Sequence, residues 1–326
     1  MKLLFELSGE NPTLPRAELE CVATVLNGRW QVAVAECLDP DAAHRLAMTH
    51  NVLQYLGECI PDIHSFRHLL QDLAIETSRP FAGRVKKVHT RSHIRNACSQ
   101  REFERLIGTM ITGPVRLRDP EEEYRAILSE DRCYFGRVLY RLDRGSYNER
   151  NPGRRDFFHP GVMMPRMART LVNLSCAGRG DCLLDPFCGT GGILIEAHAL
   201  GIRAIGSDAD PMMIAGSRGN IRESTLFLSD STCLPIRTSR IDAVVTDFPY
   251  GQSVCIRKND TMEQLYHTTL SEITRTLKAG CRAVVVTHRD IAGIAAEYLD
   301  IIQRHSQRVH KSLTRQILVL RKDSTG

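Results

Sequence analysis

The chain has 326 residues, of which 42% are hydrophobic and 25% charged, and its formal net charge at pH 7 is +5. This composition is that of a soluble globular protein with room for two or three domains, and no run approaches the about 18 apolar residues that a membrane-spanning helix needs. Residues 1–12 carry Glu6 and Glu10 where a secretory signal needs an apolar run, so we expect a cytoplasmic protein without membrane contact.

The elements predicted before residue 144 are short and mixed. They are strands at residues 2–7, 30–37 and 133–142 and helices at residues 15–26 and 99–111. Such an order favours an α+β arrangement. Glycine, proline and charged residues then interrupt the pattern at residues 144–161, which we take as the domain boundary.

Arginine is concentrated in the middle of the chain. Residues 79–155 hold 18 Lys and Arg against 10 Asp and Glu, whereas residues 1–78 hold 5 against 11. Guanidinium groups match phosphate oxygens, so this segment is compatible with a nucleic-acid partner. A solvated charged surface explains the charge alone equally well.

Strands and helices alternate regularly after the boundary. The predicted helices are residues 162–174, 192–200, 211–220, 261–278 and 291–300, and the predicted strands are residues 182–185, 203–208, 226–230, 241–247, 281–288 and 315–322. This alternation predicts an α/β fold with a doubly wound parallel sheet. Ligands of such sheets bind beyond the carboxyl ends of the strands.

Four successive predicted strands end in an aspartate. These residues are Asp185, Asp208, Asp230 and Asp247. A single aspartate at a strand end is more often a helix cap or turn former than a ligand-binding residue. Four in register, however, would converge on one edge of the sheet, where their charge requires cations or hydroxyl donors among them.

The first of these strands runs into a glycine-rich loop, DPFCGTGG, at residues 185–192. No Lys or Arg lies between residues 182 and 199, so a pyrophosphate would be repelled by Asp185, whereas a sulfonium and an ammonium would be attracted. Asp208 ends the second strand, where an acid in nucleoside-binding folds accepts hydrogen bonds from the ribose hydroxyls. Asp230 ends the third strand and is placed to accept a hydrogen bond from an adenine amino group. We therefore predict S-adenosylmethionine rather than NAD as the cofactor.

The fourth strand ends in VVTDFPYG at residues 244–251. An enzyme that methylates an exocyclic amine must orient a nitrogen whose lone pair is delocalised and stabilise the positive charge that develops on it. Asp247 supplies one acceptor, and the Phe248 carbonyl, held by the Pro249 ring, supplies a second. Tyr250 offers a face for a base turned out of its stack. These four residues are the predicted catalytic group.

This segment resembles the Asp/Asn-Pro-Pro-Tyr/Phe tetrad of the class I, Rossmann-like amino-methyltransferases, with Phe248 at the second position, where proline is usual. The likeness is closer still to the archaeal tRNA guanosine-10 N2-methyltransferases. That resemblance implies methylation of the guanine N2 amine at tRNA position 10, once or twice, with tRNA as the partner. We also expect the chain to be monomeric and to bind no metal. It also implies three parts, a ferredoxin-like α+β region at residues 1–55, a THUMP RNA-binding domain at residues 56–150 and the methyltransferase domain at residues 157–326.

The resemblance extends to the cofactor site. FFHPGVMMPRMARTLVNL, at residues 157–174, is similar to the segment that those enzymes place before the first strand, DPFCGTGG to their first motif and SDAD, at residues 207–210, to their second. Together with the strand-end acids, the predicted cofactor-binding residues are His159, Pro160, Asp185, Pro186, Phe187, Cys188, Gly189, Thr190, Gly191, Gly192, Asp208, Ala209, Asp230 and Ser231.

Other interpretations remain open from the sequence. A cytosine C5-methylating enzyme needs a cysteine nucleophile, but we interpret both Cys188 and Cys255 as bystanders. The eleven cysteines include no C-x-x-C pair, so reduced thiols are expected rather than disulfides or zinc. The same chemistry at another tRNA guanosine, adenine amino methylation of DNA, and a catalytically silent tRNA-binding subunit are the alternatives.

Overall fold

The computed structural model describes residues 1–88, 99–129, 131–250 and 261–324, so Gly251 and Cys255 lie outside the described residues. The chain divides into two compact units, Met1–Asp143 and Arg144–Gly326, each with its own sheet. In the described part of the chain, no helix combines the length and the apolar character that spanning a bilayer requires.

The first unit is built on one mixed sheet with helices against it. Its strands are β1 (Lys2–Leu7), β2 (Thr24–Arg29), β3 (Val32–Glu36), β4 (Thr49–Cys59), β5 (Phe81–Lys87), β6 (Glu122–Leu128) and β7 (Cys133–Arg141), and its helices are α1 (Leu14–Glu20), α2 (Ile63–Leu73) and α3 (Gln100–Met110). The strand order is β2-β3-β1-β4-β7-β6-β5. The expected boundary between residues 55 and 56 falls inside β4, so the two predicted N-terminal parts share this sheet.

Several elements of this unit differ from the prediction. The helix predicted to reach residue 26 ends at Glu20, and residues 24–29 form the edge strand β2 instead, which pairs only with β3 among the described strands. The β-branched residues Thr24 and Val25 favour that strand. Strands β4, β5 and β6 and helix α2 were not predicted.

The second unit alternates strands and helices as predicted. Its strands are β8 (Cys182–Asp185), β9 (Arg203–Asp208), β10 (Thr225–Leu228), β11 (Ile241–Asp247), β12 (Leu277–Thr287), β13 (Asp300–His310) and β14 (Leu313–Arg321), and its helices are α4 (Ser146–Glu149), α5 (Pro165–Leu174), α6 (Gly192–His198), α7 (Pro211–Asn220), α8 (Met262–Thr276) and α9 (Ala292–Ala296). The order β10-β9-β8-β11-β12-β14-β13 reverses direction beside β8. Ligands of doubly wound sheets bind at such a reversal.

The far edge of this sheet departs from the prediction. Strands β8 to β12 run parallel, but β14 is antiparallel to both β12 and β13, so the sheet is mixed. The helix predicted to end at residue 300 stops at Ala296, and the strand β13 was missed. Most residues of β13 are polar and none is fully buried, so its sequence lacks the apolar alternation of a half-buried strand, and pairing with β14 stabilises it.

The central strands are fixed by burial on both faces. All four residues of β8 are buried, and Leu184, Val244 and Val285 belong to one apolar core that also contains Tyr266 and Leu270 of α8. Because these strands cannot shift without exposing that core, the residues at their carboxyl ends are held in fixed positions.

Candidate active site

A cavity of about 330 Å³ opens in the second unit beyond the carboxyl ends of β8, β9 and β11. The predicted site residues that line it are His159, Pro160, Asp185, Phe187, Cys188, Gly189, Thr190, Gly192, Asp208, Ala209, Asp247, Phe248, Pro249 and Tyr250. Pro186, Gly191, Asp230 and Ser231 do not line it. Among the described residues that line it there are aspartates but neither Lys nor Arg. The wall of the cavity is therefore acidic.

Asp185 ends β8 and is only 2% exposed. Its Oδ1 accepts hydrogen bonds from the Thr246 hydroxyl at 2.7 Å and from the Phe187 N–H at 3.2 Å. Burial raises the pKa of this carboxyl to about 7, and the carboxylates of Asp208 and Asp247 add to the rise. A cationic ligand beside Asp185 would therefore favour its ionised form.

Asp208 ends β9 and ties the glycine-rich loop to that strand. Its Oδ2 accepts from the Gly189 N–H at 2.9 Å and its Oδ1 accepts from the Asp210 N–H at 3.0 Å. Burial raises the pKa of this carboxyl as well. Since a carboxylate oxygen accepts more than one hydrogen bond, both oxygens keep the capacity to accept from a pair of hydroxyl groups.

Gly191 determines the conformation of the glycine-rich loop, although it does not line the cavity. It precedes α6 with φ of 84°, in the left-handed region, and a Cβ atom there would lie 1.9 Å from Cδ1 of Ile221 on the segment after α7. Both the conformation and the close approach require glycine at this position. The loop can thus turn sharply from β8 into α6, which brings Gly189, Thr190 and Gly192 to the cavity wall.

The segment before α5 also lines the cavity, and its residues His159 and Pro160 are exposed. Asn220 of α7 anchors it: the Phe157 N–H donates to Asn220 Oδ1 at 3.1 Å, and Asn220 Nδ2 donates to the carbonyls of Phe157 at 2.8 Å and Thr190 at 3.0 Å. One side chain therefore holds this segment and the glycine-rich loop together.

Asp247 ends β11 and keeps 21% of its side chain accessible. The Tyr250 hydroxyl donates a 2.6 Å hydrogen bond to Asp247 Oδ1, and Nη2 of Arg315 lies 3.5 Å from Asp247 Oδ2. Burial raises the pKa of Asp247 to about 6, against the opposing effects of the Arg315 charge and the Tyr250 hydrogen bond. The group is therefore largely ionised at neutral pH and can accept hydrogen bonds or a proton.

Phe248 occupies the tetrad position where the resemblance expects proline. Its N–H donates to the Val286 carbonyl at 2.8 Å, and its ring, 1% exposed, packs against the rings of Phe187 and Tyr266 with centroids 5.1 Å and 5.2 Å away. Most of this side chain is therefore buried in the apolar core, while the residue also lines the cavity.

Asp230 and Ser231 are not among the lining residues, and β10 ends at Leu228, two residues before Asp230. The Asp230 Oδ1 accepts from the Thr232 N–H at 2.9 Å and from the Thr232 hydroxyl at 2.7 Å, and the Ser231 and Thr269 hydroxyls are hydrogen-bonded at 3.0 Å. Asp230 therefore forms a turn in this structure, and its contact with an adenine amino group stays a prediction.

Cys188 lines the cavity but is buried, and burial together with the neighbouring carboxylates raises the pKa of its thiol well above the usual value. A thiol that stays protonated at neutral pH is a poor nucleophile. This environment supports the interpretation of Cys188 as a bystander.

Sequence reasoning missed Thr246, Asn220 and Arg315, which contact the predicted site from outside its motifs. Thr246 immediately precedes the tetrad, but a threonine within a buried strand gives no signal of its own. The clearest available signal was Arg315, a charged residue next to the apolar run ILVL at residues 317–320. A buried arginine needs a partner, although the sequence does not say which one.

Comparison with known proteins places this site in a family. Residues 152–317 match the family of RMKL-like methyltransferase domains (UPF0020). The chain is 33% identical to the tRNA (guanine(10)-N2)-dimethyltransferase of Methanothermobacter thermautotrophicus over 98% of this chain and 99% of that protein, and 28% identical to the enzyme of that name from Pyrococcus abyssi over 97% and 98%. The crystal structure of TrmN from Thermus thermophilus superimposes with a TM-score of 0.54, at 18% identity, over 99% of this chain and 100% of that one, which shows the fold.

Proposed function

This chain belongs to the family of archaeal tRNA (guanine(10)-N2)-dimethyltransferases, and we propose that it transfers methyl groups from S-adenosylmethionine to the exocyclic N2 amine of guanosine 10 in tRNA. One observation in the structure supports this function above the others. An acceptor carboxylate, Asp247, lies on the same cavity as Asp185 and Asp208, in a wall whose described residues include no Lys or Arg.

The residues of the cavity fit the cofactor. Asp185 is a buried carboxyl with a raised pKa, which suits a neighbour that carries sulfonium and ammonium charge. Asp208 has acceptor capacity for the two ribose hydroxyls, and the loop at residues 188–192 provides a close backbone approach. When bound, S-adenosylmethionine supplies an electrophilic methyl group.

In this proposal Asp247 is the group that accepts a hydrogen bond and then a proton from the guanine amine. Its carboxylate accepts an N–H of the guanine amine, which orients the nitrogen, and it then stabilises the positive charge and takes the proton that the alkylated amine loses. With a pKa of about 6, Asp247 is ionised at neutral pH and still basic enough to receive that proton. Tyr250 borders the same cavity and offers its ring to the extruded base.

The first unit is proposed to bind the tRNA backbone. We propose residues 56–150 as the THUMP module, in which some arginines are used internally: Arg125 pairs with Glu6 and Glu123, and Arg137 pairs with Glu122. Exposed arginines of the same unit include Arg101, Arg105 and Arg118, which suit phosphate contacts. That the chain acts as a monomer also stays a prediction, which light scattering of the free chain and of its tRNA complex tests.

Labelled cofactor and an unmodified tRNA transcript test the proposal directly. We expect label on the N2 atom of guanosine 10, first as the monomethyl and then as the dimethyl nucleoside, and none on a matched transcript with adenosine at position 10. Label on another nucleotide, on DNA or on protein would contradict the assignment.

A variant separates the enzyme from a silent tRNA-binding subunit. Asp247→Ala should abolish methylation and leave tRNA affinity as it is, because the carboxylate acts on the amine and not on the backbone. Equal activity of Asp247→Ala and the wild-type chain would show that another group is the acceptor.

A further inference from the structure

Arg315 is a buried cation on β14 that contacts two residues of the tetrad, Asp247 and Tyr250. It lies near the start of β14 and is 5% exposed. Its Nε donates to the Tyr250 hydroxyl at 3.0 Å, its Nη2 lies 3.5 Å from Asp247 Oδ2, and the same Nη2 donates to the Gly161 carbonyl at 3.5 Å. The guanidinium thus contacts the acceptor Asp247, its neighbour Tyr250 and the segment before α5 that lines the cavity.

The strand itself gives no structural reason for an arginine at this position. Four residues that follow on β14, at 317–320, are buried and apolar, and they pack into the core of the sheet. Burying a guanidinium has a large desolvation cost, which only paired charge and hydrogen bonds offset. The contacts with Asp247 and Tyr250 supply that compensation, so the position of Arg315 is explained by the site.

The hydrogen-bond directions around Tyr250 are determined by chemistry. An arginine only donates, so the Tyr250 oxygen accepts from Arg315 Nε and the hydroxyl proton is left to point at Asp247 Oδ1. This order holds the phenol in one orientation beside the carboxylate. Oδ2 of Asp247 faces the guanidinium at the longer distance of 3.5 Å.

We propose that Arg315 is a positioning residue for methyl transfer, which keeps the Asp247 carboxylate ionised and, through Tyr250, fixes its orientation toward the amine. This inference rests on the proposed function of Asp247 as the amine acceptor. Arg315 touches neither the base nor the cofactor in this proposal; it acts through the two residues that do.

The other titratable groups near Asp247 do not favour its ionised form as Arg315 does. Among the described residues, Asp185 on β8 faces Asp247 with like charge, and the His288 ring after β12 packs edge-on against Tyr250 at 5.2 Å. Burial and the adjacent Arg289 lower the pKa of His288, so this histidine is neutral at neutral pH. Arg315 is therefore the cation that favours the ionised form of Asp247.

The test compares the pH dependence of kcat/KM for tRNA in the wild-type chain and in variants of Arg315. Arg315→Met removes the charge and keeps an unbranched side chain, and Arg315→Gln removes the charge but keeps a donor. Arg315→Lys keeps the charge. Arg321→Met, at the exposed end of the same strand, is the matched control.

We expect the acid limb of the profile to move to higher pH by about 1–3 units in Arg315→Met and Arg315→Gln, the range by which a close opposite charge shifts a carboxyl pKa. Arg315→Lys should bring the midpoint back toward the wild-type value, and Arg321→Met should leave it in place. A uniform loss of kcat/KM at every pH with an unmoved midpoint, or a midpoint in Arg315→Lys as high as in Arg315→Met, would overturn the proposal.

A direct titration separates this inference from the proposed function. In the chain labelled with carboxyl ¹³C-aspartate, the resonance missing from Asp247→Asn reports the ionisation of Asp247 without tRNA or turnover. Its midpoint should rise in both neutral variants even if the methylated nucleotide proves to be another one. An unchanged midpoint would refute the role of Arg315 while leaving the substrate assignment intact.

Discussion

The Thr246 hydroxyl and Oδ1 of Asp185 form a 2.7 Å hydrogen bond that joins the carboxyl ends of β11 and β8. The Phe187 N–H donates to the same oxygen. An asparagine at position 185 would keep this oxygen and both hydrogen bonds, so the charge of Asp185 can be removed without disturbing its contacts.

We predict that Asp185→Asn stabilises the chain in the absence of cofactor and weakens cofactor binding. The pKa of Asp185 in the folded chain, about 7, lies above its unfolded value, so the ionised carboxylate destabilises the fold fully above pH 7. This penalty decreases as the pH falls through 7 and disappears near the unfolded pKa of about 4. At pH 8 the free energy of unfolding should rise by up to about 4 kcal/mol in the variant, because each unit of pKa difference corresponds to about 1.4 kcal/mol.

Thermal unfolding and calorimetry across pH check this prediction. The two proteins should be equally stable near pH 4, which serves as the internal control. Binding of S-adenosylmethionine to Asp185→Asn with wild-type affinity at pH 8 would show that the carboxylate does not face the cationic part of the cofactor.

Methylation by the wild-type chain should require a group that ionises with a midpoint near pH 6. Asp247 must be ionised to accept the amine proton, so kcat/KM for tRNA at saturating cofactor should fall as the pH drops through about 6. In Asp247→Asn this dependence should vanish, with a loss of about 10²–10⁴-fold at pH 8, the usual contribution of general acid–base catalysis. A persistent midpoint near 6 in the variant would assign the titration to a different group.

Gly216 on α7 should control the position of the segment that carries His159. A Cβ atom at Gly216 would lie 2.3 Å from Cγ of Phe157, whose backbone is held by Asn220. Gly216→Ala must displace the Phe157 ring, and overpacking of this kind costs about 1–3 kcal/mol. We expect the Kd for S-adenosylmethionine to rise by about tenfold, which corresponds to 1.4 kcal/mol.

A double variant supplies the control for this steric argument. Gly216→Ala combined with Phe157→Ala should bind the cofactor no more weakly than Phe157→Ala alone, since the clash is gone. Equal Kd values for Gly216→Ala and the wild-type chain would mean that the segment tolerates the displaced ring.

Glu196 of α6 should be essential for the stability of the second unit. It is fully buried between two arginines: Arg150 Nε donates to its Oε1 at 2.7 Å, and Arg169 Nε donates to its Oε2 at 2.9 Å. Glu196→Ala leaves both guanidinium groups without their carboxylate, and breaking a buried pair costs about 3–5 kcal/mol. Chemical denaturation monitored by circular dichroism should show this loss.

The matched control is Glu223→Ala, which removes an exposed carboxylate paired with His198. Exposed pairs contribute at most about 1 kcal/mol, so this variant should unfold close to the wild-type midpoint. Similar losses in both variants would contradict the importance of burial at Glu196.

The positions of Asp185, Asp208 and Asp247 could be inferred because each follows a short apolar run that is buried as a strand. Their neighbours could not all be inferred in the same way. Asp230 also follows an apolar run, but β10 is an edge strand that ends at Leu228, and Asp230 accepts hydrogen bonds from Thr232 beyond the end of that strand. A strand's last paired residue depends on its partner strand, which local sequence does not specify.

Local periodicity and residue chemistry were sufficient to predict the alternation of strands and helices in the second unit, the glycine-rich loop and three of the carboxylates on the cavity. The contact of Arg315 with Asp247 and Tyr250 depends instead on how the strands pair. Strand β14 runs antiparallel to β12, so its first residues lie at the edge where the parallel strands end. The pairing of strands far apart in the chain produces that contact, and no local pattern of residues encodes it.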